Sequence, residues 1–165
     1  MIFKINKHNP ELYSTLLSLS RNQYFYKNIK LTDTFETRIY LMFMHFSLIL
    51  IIFKKRKITF PQGSYDNLFY CIENNLRELG YGDVAVNKKM KDLNKILYDV
   101  LLKINKTKNS FLINKNLVLK YFPDLNDSNG PKYTSFVEYF TNFYHFCFEL
   151  HHKTMIKDAI KFKVI

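Results

Sequence analysis

Apolar positions along this chain recur in steps of three and four, the spacing of one helix face, and they do so in six or seven separate stretches. Asn9 and Pro10 read as an N-cap and first helical residue, with Glu11 in the first turn. Leu12, Leu16 and Leu19 then mark the buried stripe of a helix ending near Ser20 or Arg21. Residues 22–29 are a connector or short second helix, with Phe25 and Tyr26 packing inward. Asp33 followed by Glu36 has the form of a capping box for a helix over 34–55. Its segment 39–53 is apolar except for Tyr40, His45 and Ser47.

Pro61, Gln62 and Gly63 break the pattern, and Ser64 is positioned to cap a helix over 65–79. Leu68, Cys71 or Ile72, Leu76 and Leu79 share one face there, and Gly80 supplies the residue just past its end. Asn87 caps a following helix over 88–105. Met90, Leu93, Leu97, Val100 and Ile104 form its apolar stripe, and Lys88, Lys91 and Lys95 share the exposed side. Asn109 or Ser110 opens a shorter helix to Phe122, which Pro123 ends. A loop over 124–132 follows. Ser135 and Glu138 form a second capping box before a long aromatic helix through His151. The tail 157–165 reads as a short extended segment. The expectation is all-α: one compact domain over 1–165, with a core of about 10–163, built as a bundle of six or seven helices around the buried apolar helix 34–55.

Composition sharpens this picture. Four glycines and four prolines in 165 residues suit a helical chain with few loops, and 47% apolar residues can form a true core. The net charge of +11 invites polyanion binding. Yet 21 of the 25 basic residues are Lys, in a chain also rich in Asn, Ile, Phe and Tyr, so much of the basicity is compositional. The apolar run 39–53 is shorter than the roughly 20 residues of a membrane span. The cluster Lys54, Lys55, Arg56 and Lys57 after it resembles a stop-transfer flank, but a helix buried on nearly all sides accounts for the run better. The N-terminal residues resemble neither a secretory signal nor a transit peptide, so the chain is expected to stay where it is made.

Candidate chemistry is sparse. Cys71 and Cys147 sit among apolar neighbours and read as free thiols. His45, alone on an apolar helix, reads as a hydrogen-bonded core residue rather than a haem or metal ligand. The pairs Cys147–His151 and His145–His152 lack further ligands at suitable spacing. No phosphate loop, nucleophile elbow or carboxylate pair supports catalysis, so neither enzyme activity, a cofactor nor a small-molecule substrate is expected. The Phe and Tyr residues recur at core spacing rather than as a stacking platform for bases.

The most informative stretch is 75–91, which ends one helix, turns through Gly80 and Gly82, and opens another with Lys88, Lys89 and Lys91 in its first turn. Cations at a helix N-terminus run against the helix dipole. Together with Arg77 and Lys95 they are therefore read as a surface for an acidic partner: a client loop, ribosomal RNA or anionic headgroups. Asp83 is expected to pair with one of these lysines, and Arg38 with Asp33.

Three segments resemble the ubiquinol–cytochrome c chaperone family, over about residues 10–163. The first holds Arg21, Phe25-Tyr26, Asp33-Thr34, Arg38 and His45 with Leu48. The second is the elbow: 75–80, Gly82-Asp83, Val86, the lysines 88–91 and the aromatic Tyr98. The third comprises the apolar helix 111–122, the aromatic helix after 135 and a terminal strand-like Ile160–Phe162. Thr32, Thr37 and Ala159 depart from the family pattern. The resemblance implies Asp33, Thr34, Arg38, His45, Gly80, Gly82 and Asp83 as structural motif residues in an all-α adaptor without catalysis. It further implies a chaperone that escorts newly made cytochrome b into respiratory complex III, with the ribosome and a small second assembly factor as further partners. Such a protein works peripherally on the cytoplasmic face of the bacterial inner membrane, or on the matrix side in an organelle. The competing readings are a basic helical module for nucleic acid or a membrane surface, and an integral protein anchored through 39–53.

Overall fold

The first helix, α1 (Glu11–Ser20), begins directly after Pro10. Its stripe Leu12, Leu16 and Leu19 is buried. A π-helical turn (Tyr24–Asn28) then carries Phe25 into the core, and Lys30 takes a left-handed φ of 65° as the chain leaves it. The computed structural model describes residues 10–105, 111–126 and 130–164. The expected cap Asn9, the N-terminal residues read for targeting, and the expected helix start at Asn109 or Ser110 lie outside the described residues.

Helix α2 (Phe35–Lys55) is the axis of the molecule. Its cap is Thr34, whose hydroxyl accepts from the Thr37 backbone N–H at 3.1 Å, rather than the Asp33–Glu36 box. A β-branched hydroxyl here satisfies one of the orphan N–H groups. This leaves the Asp33 carboxylate free to take the Arg38 guanidinium through Nε at 2.7 Å and Nη2 at 2.9 Å. Twelve residues of α2 are buried, among them the whole run Leu41–Ile49. By length and composition it could cross a membrane. Here α1, α4 and α6 cover it instead, which explains an apolar sequence with little amphipathic asymmetry.

Helix α3 (Gln62–Glu78) starts two residues before Ser64, without a side-chain cap. It buries Leu68, Ile72 and Leu76, whereas Leu79, expected on the same face, is 59% exposed. Helix α4 (Asp83–Lys103) buries Val86, Leu93, Leu97 and Val100. An isolated antiparallel bridge pairs Asn105 with Ile113. Asn114 then caps α5 (Lys115–Tyr121), its side chain accepting from the Leu117 N–H at 3.1 Å. A 3₁₀ turn (Pro123–Leu125) follows, and Asp124 Oδ2 accepts from the Thr32 N–H at 3.0 Å, tying it to the entrance of α2.

Helix α6 (Pro131–Phe148) starts at its proline, with Gly130 in the cap position. Ser135 and Glu138 therefore lie inside the helix rather than capping it, and His151 lies beyond its end. Phe136, Phe140, Phe143, Tyr144 and Cys147 are buried as their spacing implied. The tail forms α7 (Met155–Asp158) and a 3₁₀ turn (Ala159–Lys161), not an extended strand. Its Phe162 ring packs edge-on to Tyr139 at 5.2 Å. Among the described residues there are seven α-helices and no strand.

His45 sits at the centre of this core. It is fully buried, with Nδ1 at 2.6 Å from the Leu41 carbonyl and Nε2 at 2.9 Å from the Tyr139 hydroxyl. A carbonyl can only accept, so Nδ1 donates and Nε2 accepts from the phenol. Phe25, Phe140 and Phe143 close around the ring. Burial holds the imidazole neutral by pushing its pKa down to about 3. The same desolvation pushes the Cys147 thiol up to about 12, which makes it an inert core side chain.

Candidate functional site

The turn between α3 and α4 is a complete Schellman motif. The Gly80 N–H donates to the Arg77 carbonyl at 3.0 Å, and the Tyr81 N–H donates to the Leu76 carbonyl at 3.2 Å. Gly80 holds φ at +96°, a left-handed conformation that a side chain would resist. Gly82, by contrast, has an ordinary φ of −74° and open space where a Cβ would stand. Its place in the elbow follows from the N-cap position of α4, not from steric need.

That N-cap changes the electrostatics of the elbow. Helix α4 begins at Asp83, five residues before Lys88, so Asn87 is not its cap. The dipole effect fades within the first turn. The acidic residue Asp83 occupies that turn, and Lys88, Lys89 and Lys91 lie beyond it. The lysines do not oppose the dipole, and the physical argument that set them apart in the sequence falls away. Asp83 pairs not with a lysine but with Arg77, which also meets Glu73 at 3.2 Å. Arg77 thus braces the end of α3 against the start of α4.

Lys88, Lys91 and Lys95 all point into solvent on one side of α4, and among the described residues none forms an ion pair. Lys89 leans the other way, its ammonium 4.6 Å from the centre of the Tyr81 ring. Such a cation–π contact contributes about 0.5–1 kcal/mol when exposed. The basic group is thus divided into an outward row and one residue folded back over the elbow.

Beside it lies an apolar surface that the sequence did not announce. Val84 is 85% exposed in the first turn of α4, and Leu79 stands out just before the glycine turn. Leu79 also edges an open trench of about 370 Å³ between α1, α2 and α3, with Tyr13, Leu17 and Phe35 in its walls and Arg21 and Arg38 at its margin. Phe35 separates this trench from a smaller hollow of about 240 Å³ that reaches Lys89, Leu93 and Ile96. The two concavities therefore run side by side across the start of α2 to the elbow. The Asp33–Arg38 pair fixes the margin, and its bidentate hydrogen bonding holds the carboxylate below its usual range.

The surface offers two kinds of contact. Its apolar floor takes hydrophobic side chains, and its cations take carboxylates or phosphates. Among the described residues no cluster of His, Cys, Asp or Glu could hold a metal ion. His151 stacks on His152 at 4.5 Å, and Cys147 is buried away from solvent. The exposure of Leu79 had one available signal. It sits at the C-cap, past the last turn whose i and i+4 spacing defines the stripe Leu68, Ile72 and Leu76.

Comparison with known proteins finds a family match. A family model described as Ubiquinol-cytochrome C chaperone covers residues 27–121. The match runs from the π-helical turn through α5, and so contains the Asp33, Thr34, Arg38 and His45 group, the elbow and the lysine row. No curated protein and no solved structure matches the chain.

Proposed function

From the premise that the chain belongs to the ubiquinol–cytochrome c chaperone family, we propose that it binds newly made cytochrome b through the surface around the elbow. Membership itself implies an assembly chaperone role in complex III, with a client protein and no catalytic step. The finer reading is that the trench and the exposed Leu79 and Val84 shelter an apolar segment of the incompletely assembled subunit. Lys88, Lys91 and Lys95 then hold an acidic stretch of that client. The ribosome and a small second assembly factor are the further partners in this reading. It places the protein peripherally at the inner membrane, on the cytoplasmic face in a bacterium and the matrix side in an organelle.

The observation that supports the surface is the juxtaposition of solvent-facing aliphatics with an apolar trench and with exposed lysines that form no ion pair among the described residues. Soluble surfaces scatter single apolar residues freely, whereas a contiguous apolar patch rimmed by charge marks an interaction site. Affinity would come from a few buried anchors, and the lysines would mainly raise the encounter rate. The test is deletion of the gene followed by reduced-minus-oxidised spectroscopy of cytochrome b. The expected result is loss of cytochrome b and of assembled complex III, restored by the wild-type chain but poorly by a Leu79→Asp, Val84→Asp double variant. Normal complex III in the deletion strain would overturn the proposal.

A further inference from the structure

A third and wider hollow, of about 610 Å³, opens between the C-terminal turns of α2 and α4. Its aliphatic lining comes from Leu50, Ile51, Leu101 and Leu102, and Lys54 and Lys55 stand at its edge. Leu102 is 75% exposed. Of the four cations that end α2, two serve the fold. Lys55 donates to the Tyr144 hydroxyl at 2.9 Å, and Arg56 donates to the Leu150 carbonyl at 2.7 Å and to that of Phe148. Lys54 and Lys57 are exposed and form no ion pair among the described residues. Phe148, itself partly exposed, lies under the Arg56 guanidinium at 5.2 Å. Exposed apolar side chains thus stand beside Lys54 at the edge of the hollow, with Lys57 just past the end of the same helix.

We propose that this end of α2 and α4 is the face that meets an anionic lipid bilayer. Leu102 and Phe148 enter the boundary between headgroups and acyl chains, while Lys54 and Lys57 meet headgroup phosphates. The dimensions argue for a bilayer over a partner helix. From residue 50 to residue 55, α2 advances only about 7.5 Å, whereas a helix laid in a groove needs anchors from i to i+7, about 10.5 Å apart. A headgroup layer imposes no such length. The positive border selects anionic over neutral lipid. Resting on the membrane-side role proposed above, this placement leaves the elbow and its trench free for the client.

The test uses the full chain with vesicles of phosphatidylcholine alone or with phosphatidylglycerol added, read by co-sedimentation. The wild type is expected to partition onto anionic vesicles, weakly onto neutral ones, and less as salt rises. Lys54→Gln with Lys57→Gln should lower partitioning roughly thirtyfold, and Leu102→Asn should lower it as well. Lys57→Gly separates binding from folding. Lys57 holds φ at 55° just past the end of α2, where glycine is less strained. That variant should melt higher and still bind roughly fivefold more weakly. A control carrying Lys27→Gln and Lys132→Gln, two exposed lysines outside this face and outside the elbow, should bind like the wild type. Equal partitioning onto neutral and anionic vesicles, unchanged binding without Lys54 and Lys57, or loss in the Lys27, Lys132 control would each overturn the proposal. A chain that ignores vesicles yet supports complex III overturns this face alone. Vesicle binding alongside normal complex III in the deletion strain overturns the chaperone reading alone.

Discussion

Tyr139 on α6 donates its hydroxyl to Nε2 of His45 on α2 at 2.9 Å, with both side chains buried between the two helices. Each side chain exists there only because the other satisfies it. Tyr139→Phe should cost about 1–3 kcal/mol, since the imidazole nitrogen is left without a donor. His45→Phe should cost a similar amount by stranding the phenol. The double variant should recover much of the loss, because neither polar group remains. Urea denaturation of the four proteins as a double-mutant cycle measures this coupling. Additive losses would mean that the two groups do not interact.

The same imidazole makes stability depend on pH. Its folded pKa, about 3, lies below the ordinary value near 6.5, so the unfolded chain binds the proton first. Stability is full above the unfolded value and falls as pH drops from about 6.5 toward 3, by at most about 1.4 kcal/mol per unit. Carboxylates such as Asp33 and Asp99, held low by their cationic partners, add their losses only at more acid pH. Urea midpoints between pH 7 and 5 should therefore decline in the wild type and stay flatter in the His45→Phe, Tyr139→Phe variant.

The two glycines of the elbow should respond in opposite directions. Gly80→Ala forces a Cβ into a left-handed conformation and should destabilise by about 1 kcal/mol. Gly82→Ser places a hydroxyl at the N-cap of α4, where no side chain now caps, and should stabilise by roughly a few tenths of a kcal/mol. Thermal melts of both variants check this.

Reversing the outward row tests the client surface without touching the core. Lys88→Glu, Lys91→Glu and Lys95→Glu together should leave helical content unchanged, since these exposed residues cap nothing. Co-purification of cytochrome b with the variant should fall severalfold and become less sensitive to salt. Undiminished capture would return the lysines to the role of a solvated face.

The apolar spacing was enough to read the interior. The stripes of α1, α2 and α6, the burial of His45 and the Asp33–Arg38 pair all follow from residue types at helical intervals. Helix starts were not legible in the same way. A Ser, Asn or Asp favours a cap but does not stop a helix that the residues before it can continue. Val86 lies four residues before Met90 and seven before Leu93, so the stripe of α4 extends back past Asn87 to Gly82. In α6 the signal was Pro131, a preferred first helical residue, rather than Ser135. The elbow lysines kept their exposure but lost their dipole argument through the same five-residue shift. Leu79 and the trench beside it depend on where α3 ends relative to α1 and α2, a tertiary fact that one-dimensional spacing does not carry.

The apolar character of α2 imposes an order on biosynthesis. Its flanking helix α1 leaves the ribosome first, but Phe140 and Phe143, which close over His45, are made nearly a hundred residues later. Until they emerge, the nascent chain carries a bilayer-length hydrophobic rod that is only half-clothed. An assembly chaperone therefore passes, during its own synthesis, through a stage in which its own apolar surface needs cover.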